Sequence, residues 1–155
     1  MEERFKTFTV LLTKIRRSIQ RIKTEEMAQY SLKAPHVSCL YYLYKEGEMT
    51  ATELCEICVE DKAAISRSIV QLEKDGYVEY SSNSPKKYRT HIMLTDSGRI
   101  IAEEISNKVN EIIEIVGSGL TVRERIIFYR SLATINRNLE EFFKKYDEFE
   151  VQVEK

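Results

Sequence analysis

The chain has 155 residues, of which 43% are hydrophobic and 32% charged, and its formal net charge is −1. That length supports one domain with a real core, and no segment approaches the roughly 18 uninterrupted apolar residues of a membrane span. Near-neutrality excludes a global pull toward polyanions, so a nucleic-acid partner has to be met by a local basic patch.

The first segment, MEERFKTFTVLLTKIRRSIQRIK, mixes charge through its apolar positions and so lacks the apolar run and cleavage site of a secretory signal. A cytoplasmic location is the default expectation. Three cysteines, an odd number, favour reduced thiols over a disulfide framework. Phe5, Phe8, Leu12, Ile15, Ile19 and Ile22 recur at steps of three and four, which predicts an amphipathic helix with a heptad-like seam. After a polar break, Pro35 suits the first turn of a second helix carrying Val37, Leu40, Tyr41 and Tyr44 as far as Gly47. Thr50 followed by Glu53 has the capping-box pattern for a short third helix, TATELCEICV. Asp61 caps a fourth, whose Ile65, Ile69 and Leu72 share one face. Three short helices joined by tight polar turns predict a tri-helical core, with a helix-turn-helix running from Thr50 to Asp75.

Gly76 then permits the left-handed turn that ends a helix, and YVEYSS and THIMLT read as two strands joined through NSPKK. A hairpin attached to a helix-turn-helix is a wing. Beyond it, Ile101, Ile105, Val109, Ile112 and Val116 form one helical stripe, closed by GSG. Thr121 and Glu124 make another capping box, opening a long helix with Phe128, Leu132, Ile135, Leu139, Phe142 and Tyr146 along one side. The last residues, DEFEVQVEK, are expected to fray.

The fold class is therefore mainly α with a small β element (α+β): a winged helix-turn-helix between N- and C-terminal dimerisation helices. Residues 1–30 form the N-terminal dimerisation helix, 31–95 the winged region and 96–155 the C-terminal dimerisation helices, within a single domain overall. The terminal seams exceed what one small domain covers, so a two-fold homodimer is expected, against the alternative that they pack on their own domain.

On the fourth helix, Lys62, Ala63, Ser66, Arg67 and Val70 lie away from the core-facing residues. Small side chains permit close approach, and a hydroxyl and a guanidinium can bond base edges or phosphates. The hairpin loop adds Lys86, Lys87 and Arg89 with no acidic residue among them. Together they predict a double-stranded DNA partner, read in successive major grooves as a pseudo-palindrome.

The order of elements, with ISRSIVQLEKDGYV followed by HIMLTDSG, resembles the MarR family of dimeric winged-helix transcription regulators over nearly the whole chain. Its most specific parts are Ser66–Arg67, the Leu72-Glu73-Lys74-Asp75-Gly76 helix end, and the Leu94-Thr95 then Gly98 junction. The resemblance implies that Ala63, Ala64, Ser66 and Arg67 meet the major groove and that Arg89 and its lysine neighbours lie on the wing. Many members carry Asp-x-Arg in the wing, whereas the matching positions here read Lys86-Lys87-Tyr88. The resemblance also implies a repressor released by a small-molecule effector, in a pocket between the dimerisation helices and the DNA-binding lobe. Tyr30, Tyr41, Tyr42, Tyr44 and Phe128 are candidates to line it, although aromatics at helical spacing ordinarily fill cores.

Cys55 and Cys58 have a Cys-x-x-Cys spacing without a second pair, and in a buried helix cysteine behaves as a small hydrophobe. His36 and Cys39 lack two further zinc ligands, with His91 poorly placed to supply one, so neither a metal nor a cofactor is expected. With no phosphate-cradling glycine loop and no histidine paired with a nucleophile, the chain does not read as an enzyme. The alternatives to a DNA-binding regulator are a winged-helix protein-interaction module and a thiol-based redox-sensing regulator.

Overall fold

A computed structural model describes residues 2–25, 28–81 and 90–153. Among the described residues there are six α-helices and one two-stranded antiparallel sheet: α1 (Glu2–Glu25), α2 (Ala34–Glu46), α3 (Ala51–Cys58), α4 (Lys62–Lys74), β1 (Val78–Tyr80), β2 (Ile92–Leu94), α5 (Asp96–Val116) and α6 (Val122–Val153). A single 3-10 turn, Ala28–Tyr30, precedes α2. The mainly helical winged architecture matches the sequence reading.

The chain divides into two compact units, residues 1–110 and 111–155, with the boundary inside α5. In the first unit, α2, α3 and α4 pack on one another, and Leu40, Leu54, Ile65, Leu72, Ile92 and Ile105 are fully buried. Each such side chain contributes about 1.5–3 kcal/mol through removal from water. Local chemistry sets the helix ends. Thr50 and Glu53 form a reciprocal capping box, with the Thr50 N–H donating to Glu53 Oε2 at 2.7 Å and the Glu53 N–H donating to Thr50 Oγ1 at 3.3 Å. These bonds hold the Glu53 carboxyl below its usual range. Asp61 accepts the Ala64 N–H at 2.7 Å and so starts α4.

The end of α4 is a Schellman turn. Gly76, at φ +76°, donates to the Glu73 carbonyl and Tyr77 donates to that of Leu72, after which the chain leaves as β1. Strands β1 and β2 pair Val78 with Leu94 and Tyr80 with Ile92. Met49 adds a third rung that the sequence pattern did not suggest: it exchanges both backbone bonds with Ile92, at 3.1 and 2.8 Å, and ties the α2–α3 turn to the wing. Thr95 closes this assembly, its hydroxyl donating to the Gly76 carbonyl at 2.6 Å and accepting the Gly98 N–H at 3.0 Å. The start of α5 is thereby fixed to the end of α4.

In α5 the expected stripe is buried at Ile105 and half-buried at Ile101, Val109 and Ile112, whereas Val116 is 72% exposed. Its burial is greatest where Gly98, Ala102, Ile105 and Ser106 pack into the first unit. In the second unit the Thr121–Glu124 box opens α6 as expected, and Arg125 pairs with Glu114 at 3.1 Å. Helix α6 continues to Val153, so the segment expected to fray begins as regular helix. The α6 residues Phe128, Ile135, Leu139 and Phe142 are all at least one-third exposed, as are Leu12, Ile15 and Ile19 of α1. The side chains of Phe5 and Tyr146 lie outside what is described. No helix among the described residues is long and apolar enough to cross a membrane.

Candidate nucleic-acid interface

Helix α4 is split cleanly between anchoring and presentation. Ile65, Ser68, Ile69 and Leu72 are buried, and the Ser68 hydroxyl turns back to donate to the Ala64 carbonyl at 2.8 Å. That leaves Lys62, Ala63, Ser66, Arg67 and Val70 exposed, with Ala64 half-buried between the two faces. Among the described residues the Arg67 guanidinium has neither an ion-pair nor a hydrogen-bond partner. Gln71, by contrast, is engaged: its amide donates to Asp75 Oδ1 at 2.8 Å.

Ala64, Ser66 and Arg67 also line a cleft of about 780 Å³, whose other wall is Ser31, Lys33, Pro35 and His36 at the start of α2. This wall is the part of the surface that sequence reasoning missed, because it comes from a segment about thirty residues upstream. The His36 ring is buried, and its Nδ1 accepts the Lys33 backbone N–H at 3.4 Å, which leaves Nε2 to carry the proton. Burial, then the Lys33 charge, holds the imidazole below its usual pKa, with Asp75 opposing, so the ring is neutral near pH 7. The cleft thus combines two cations, Lys33 and Arg67, with the Ser31 and Ser66 hydroxyls, a set that suits phosphate, and it carries the Asp75 carboxylate at its edge.

The wing residues Lys86, Lys87 and Arg89 lie outside the described residues. The strands that would carry that loop are well anchored, since Val78, Thr90 and Ile92 are buried. Of the aromatic residues considered for an effector pocket, Tyr30, Tyr41, Tyr42 and Tyr44 pack half-buried against the first unit's core. Phe128 belongs to the second unit, where it stacks edge-to-face on Tyr129. None of these five lines the cleft beside α4. Among the described residues no group of three histidine, cysteine or acidic side chains is placed to hold a metal ion.

The sequence profile of the MarR family matches residues 30–87, from the 3-10 turn through the helix-turn-helix into the wing. The uncharacterized HTH-type transcriptional regulator YwaE of Bacillus subtilis (strain 168) is 26% identical over 133 residues, covering 83% of this chain and 78% of the relative. The structure of NMB1585, a MarR family regulator from Neisseria meningitidis, superposes with a TM-score of 0.79 at 16% identity, over 92% of this chain and 97% of that one. Residues 30–87 thus carry the sequence pattern of the MarR family, and the chain shares the fold of that family's solved structures. The curated relatives it resembles, YwaE among them, are named as HTH-type transcriptional regulators. The MarR fold extends to the S. aureus MepR–DNA complex, with a TM-score of 0.72 and 18% identity, over 85% of this chain and 96% of that one.

Proposed function

We propose that this chain is a MarR-family regulator, a cytoplasmic, homodimeric repressor that binds a pseudo-palindromic DNA operator and is released by a small-molecule effector. The observation that carries the reading is the division of α4: a buried anchoring face behind an exposed Lys62, Ala63, Ser66 and Arg67, whose guanidinium is unpaired among the described residues. Ala64 lines the same approach, and Lys33 with the start of α2 supplies backbone phosphate contacts beside it. Lys86, Lys87 and Arg89 extend the contact along the flanking backbone. Dimerisation is supported by the exposed apolar residues of α1 and α6, which a second copy would cover. In such a dimer the effector acts by changing the separation or tilt of the two α4 helices, to which half-site spacing is sensitive. Tyr30, Tyr41, Tyr42 and Tyr44, half-buried in the first unit, are the proposed effector contacts.

Selection from a random duplex library tests the central claim. Enrichment of an inverted repeat with half-sites about one helical turn apart is the expected outcome. No enrichment would instead favour a winged-helix module that meets an acidic protein.

A further inference from the structure

Helix α4 carries one apolar side chain that the core does not use. Ile65, Ile69 and Leu72 are buried, whereas Val70, inside the same helix, is 60% exposed. Single exposed apolar residues are common on protein surfaces and ordinarily need no partner. Val70 differs from those by its company. With Ala63, Ser66 and Arg67 it completes an exposed set at i, i+3, i+4 and i+7, the spacing by which a helix laid in the major groove brings side chains to base edges. Ser66, Arg67 and Val70 also share the cleft beside the start of α2. The polar neighbour is committed elsewhere, because the Gln71 amide, a group suited to adenine, donates to Asp75 Oδ1 at 2.8 Å. A β-branched side chain in a helix is held almost entirely in one rotamer, so Val70 presents its two methyl groups as a fixed apolar tip. That tip is short. It reaches a base only if the helix backbone comes close, which the small Ala63 and Ser66 on the same stripe allow.

We propose that Val70 is a specificity-determining residue that reads the C5-methyl group of a thymine in the major groove. The inference deepens the DNA-binding reading of α4 and rests on it. Of the four bases only thymine offers a methyl group there. The other edges present acceptors and amino groups that an apolar tip would strip of water without replacing the bond. Arg67 fixes the register. Its guanidinium suits the O6 and N7 acceptors of guanine, and Val70 stands three residues, about 4.5 Å, further along the helix. Successive base pairs are about 3.4 Å apart, so the thymine belongs one or two base pairs from that guanine in each half-site.

The test uses the full-length chain and an operator enriched from the random duplex library, with each thymine in turn replaced by deoxyuridine, which removes the methyl group and leaves the base pairing unchanged. In the wild type one position in each half-site should respond, weakening binding about fourfold, the loss for one methyl group returned to water. That position should lie one or two base pairs from a guanine. Val70→Ala should bind the thymine operator about as weakly as the wild type binds the deoxyuridine one, and its affinity should no longer change with that replacement. Equal affinity of the wild type for every deoxyuridine duplex, or a Val70→Ala protein as sensitive to the methyl group as the wild type, would overturn the proposal. Either result leaves the reading of α4 standing if Arg67→Ala still weakens binding to all of these duplexes. A chain that enriches no duplex removes that reading and the role of Val70 together.

Discussion

Two side chains carry environments that their residue types resist. Val59 closes α3 in the left-handed conformation, at φ 54° and ψ 44°, and is 88% exposed. A β-branched residue there costs about 1–2 kcal/mol, and no burial offsets it. Val59→Asn, which accepts this conformation more readily, should raise stability by about 1 kcal/mol, read as a higher urea midpoint at unchanged slope. An unchanged or lower midpoint would mean that Val59 is held by something other than the turn. The second case is His36, whose folded-state pKa lies below its unfolded value of about 6.5 because burial, then Lys33, disfavours the imidazolium. Below that pH the unfolded chain binds the extra proton first, so stability falls as pH drops through about 6.5 toward the folded-state value. Denaturant midpoints measured from about pH 7.5 to about pH 5.5 should decline in the wild type, and His36→Gln should remove that part of the slope.

At the scale of elements, the helix ends explain why so much was readable. Both capping boxes, the Asp61 cap and the Gly76 stop are encoded within a few residues, and each forms the bonds its pattern implies. Features built from distant residues left no such trace. The Met49–Ile92 bridge and the Lys33 and His36 wall beside α4 each join segments that no periodicity links. The Leu94-Thr95 then Gly98 junction lies between these extremes: its residues stood out by resemblance, and the structure supplies the reason. A Cβ at Gly98 would lie 1.8 Å from the Tyr77 carbonyl oxygen, so α5 seats against the wing only with glycine there. Gly98→Ala should cost about 1–3 kcal/mol by overpacking, measured by chemical denaturation. It should also loosen the wing, seen as faster amide exchange at Val78 and Leu94 than in Val59→Asn, which leaves the junction intact.

For the whole molecule, charge and apolar surface pull toward the same arrangement. The chain is nearly neutral, yet Lys62 and Arg67 on the outer face of α4 lie beside Lys33, and the sequence adds Lys86, Lys87 and Arg89 between the two strands. Apolar exposure gathers elsewhere, on α1 and α6, where Phe142 is 60% and Leu139 49% exposed. Apolar exposure of that kind on each of two long helices favours self-association, and a two-fold dimer would duplicate the cations of the winged region. Sedimentation at micromolar concentration should therefore give a particle of about 36 kDa, twice the 18.2 kDa chain. Leu139→Glu combined with Phe142→Glu should shift it toward monomer and weaken operator binding. Replacing Lys86, Lys87 and Arg89 with Ala in that dimer removes six cations, so the slope of log affinity against log salt should flatten by roughly five if every one meets a phosphate. A slope change of about half that size would mean that the wing of only one protomer reaches the backbone, and with it that the two half-sites are not read equivalently.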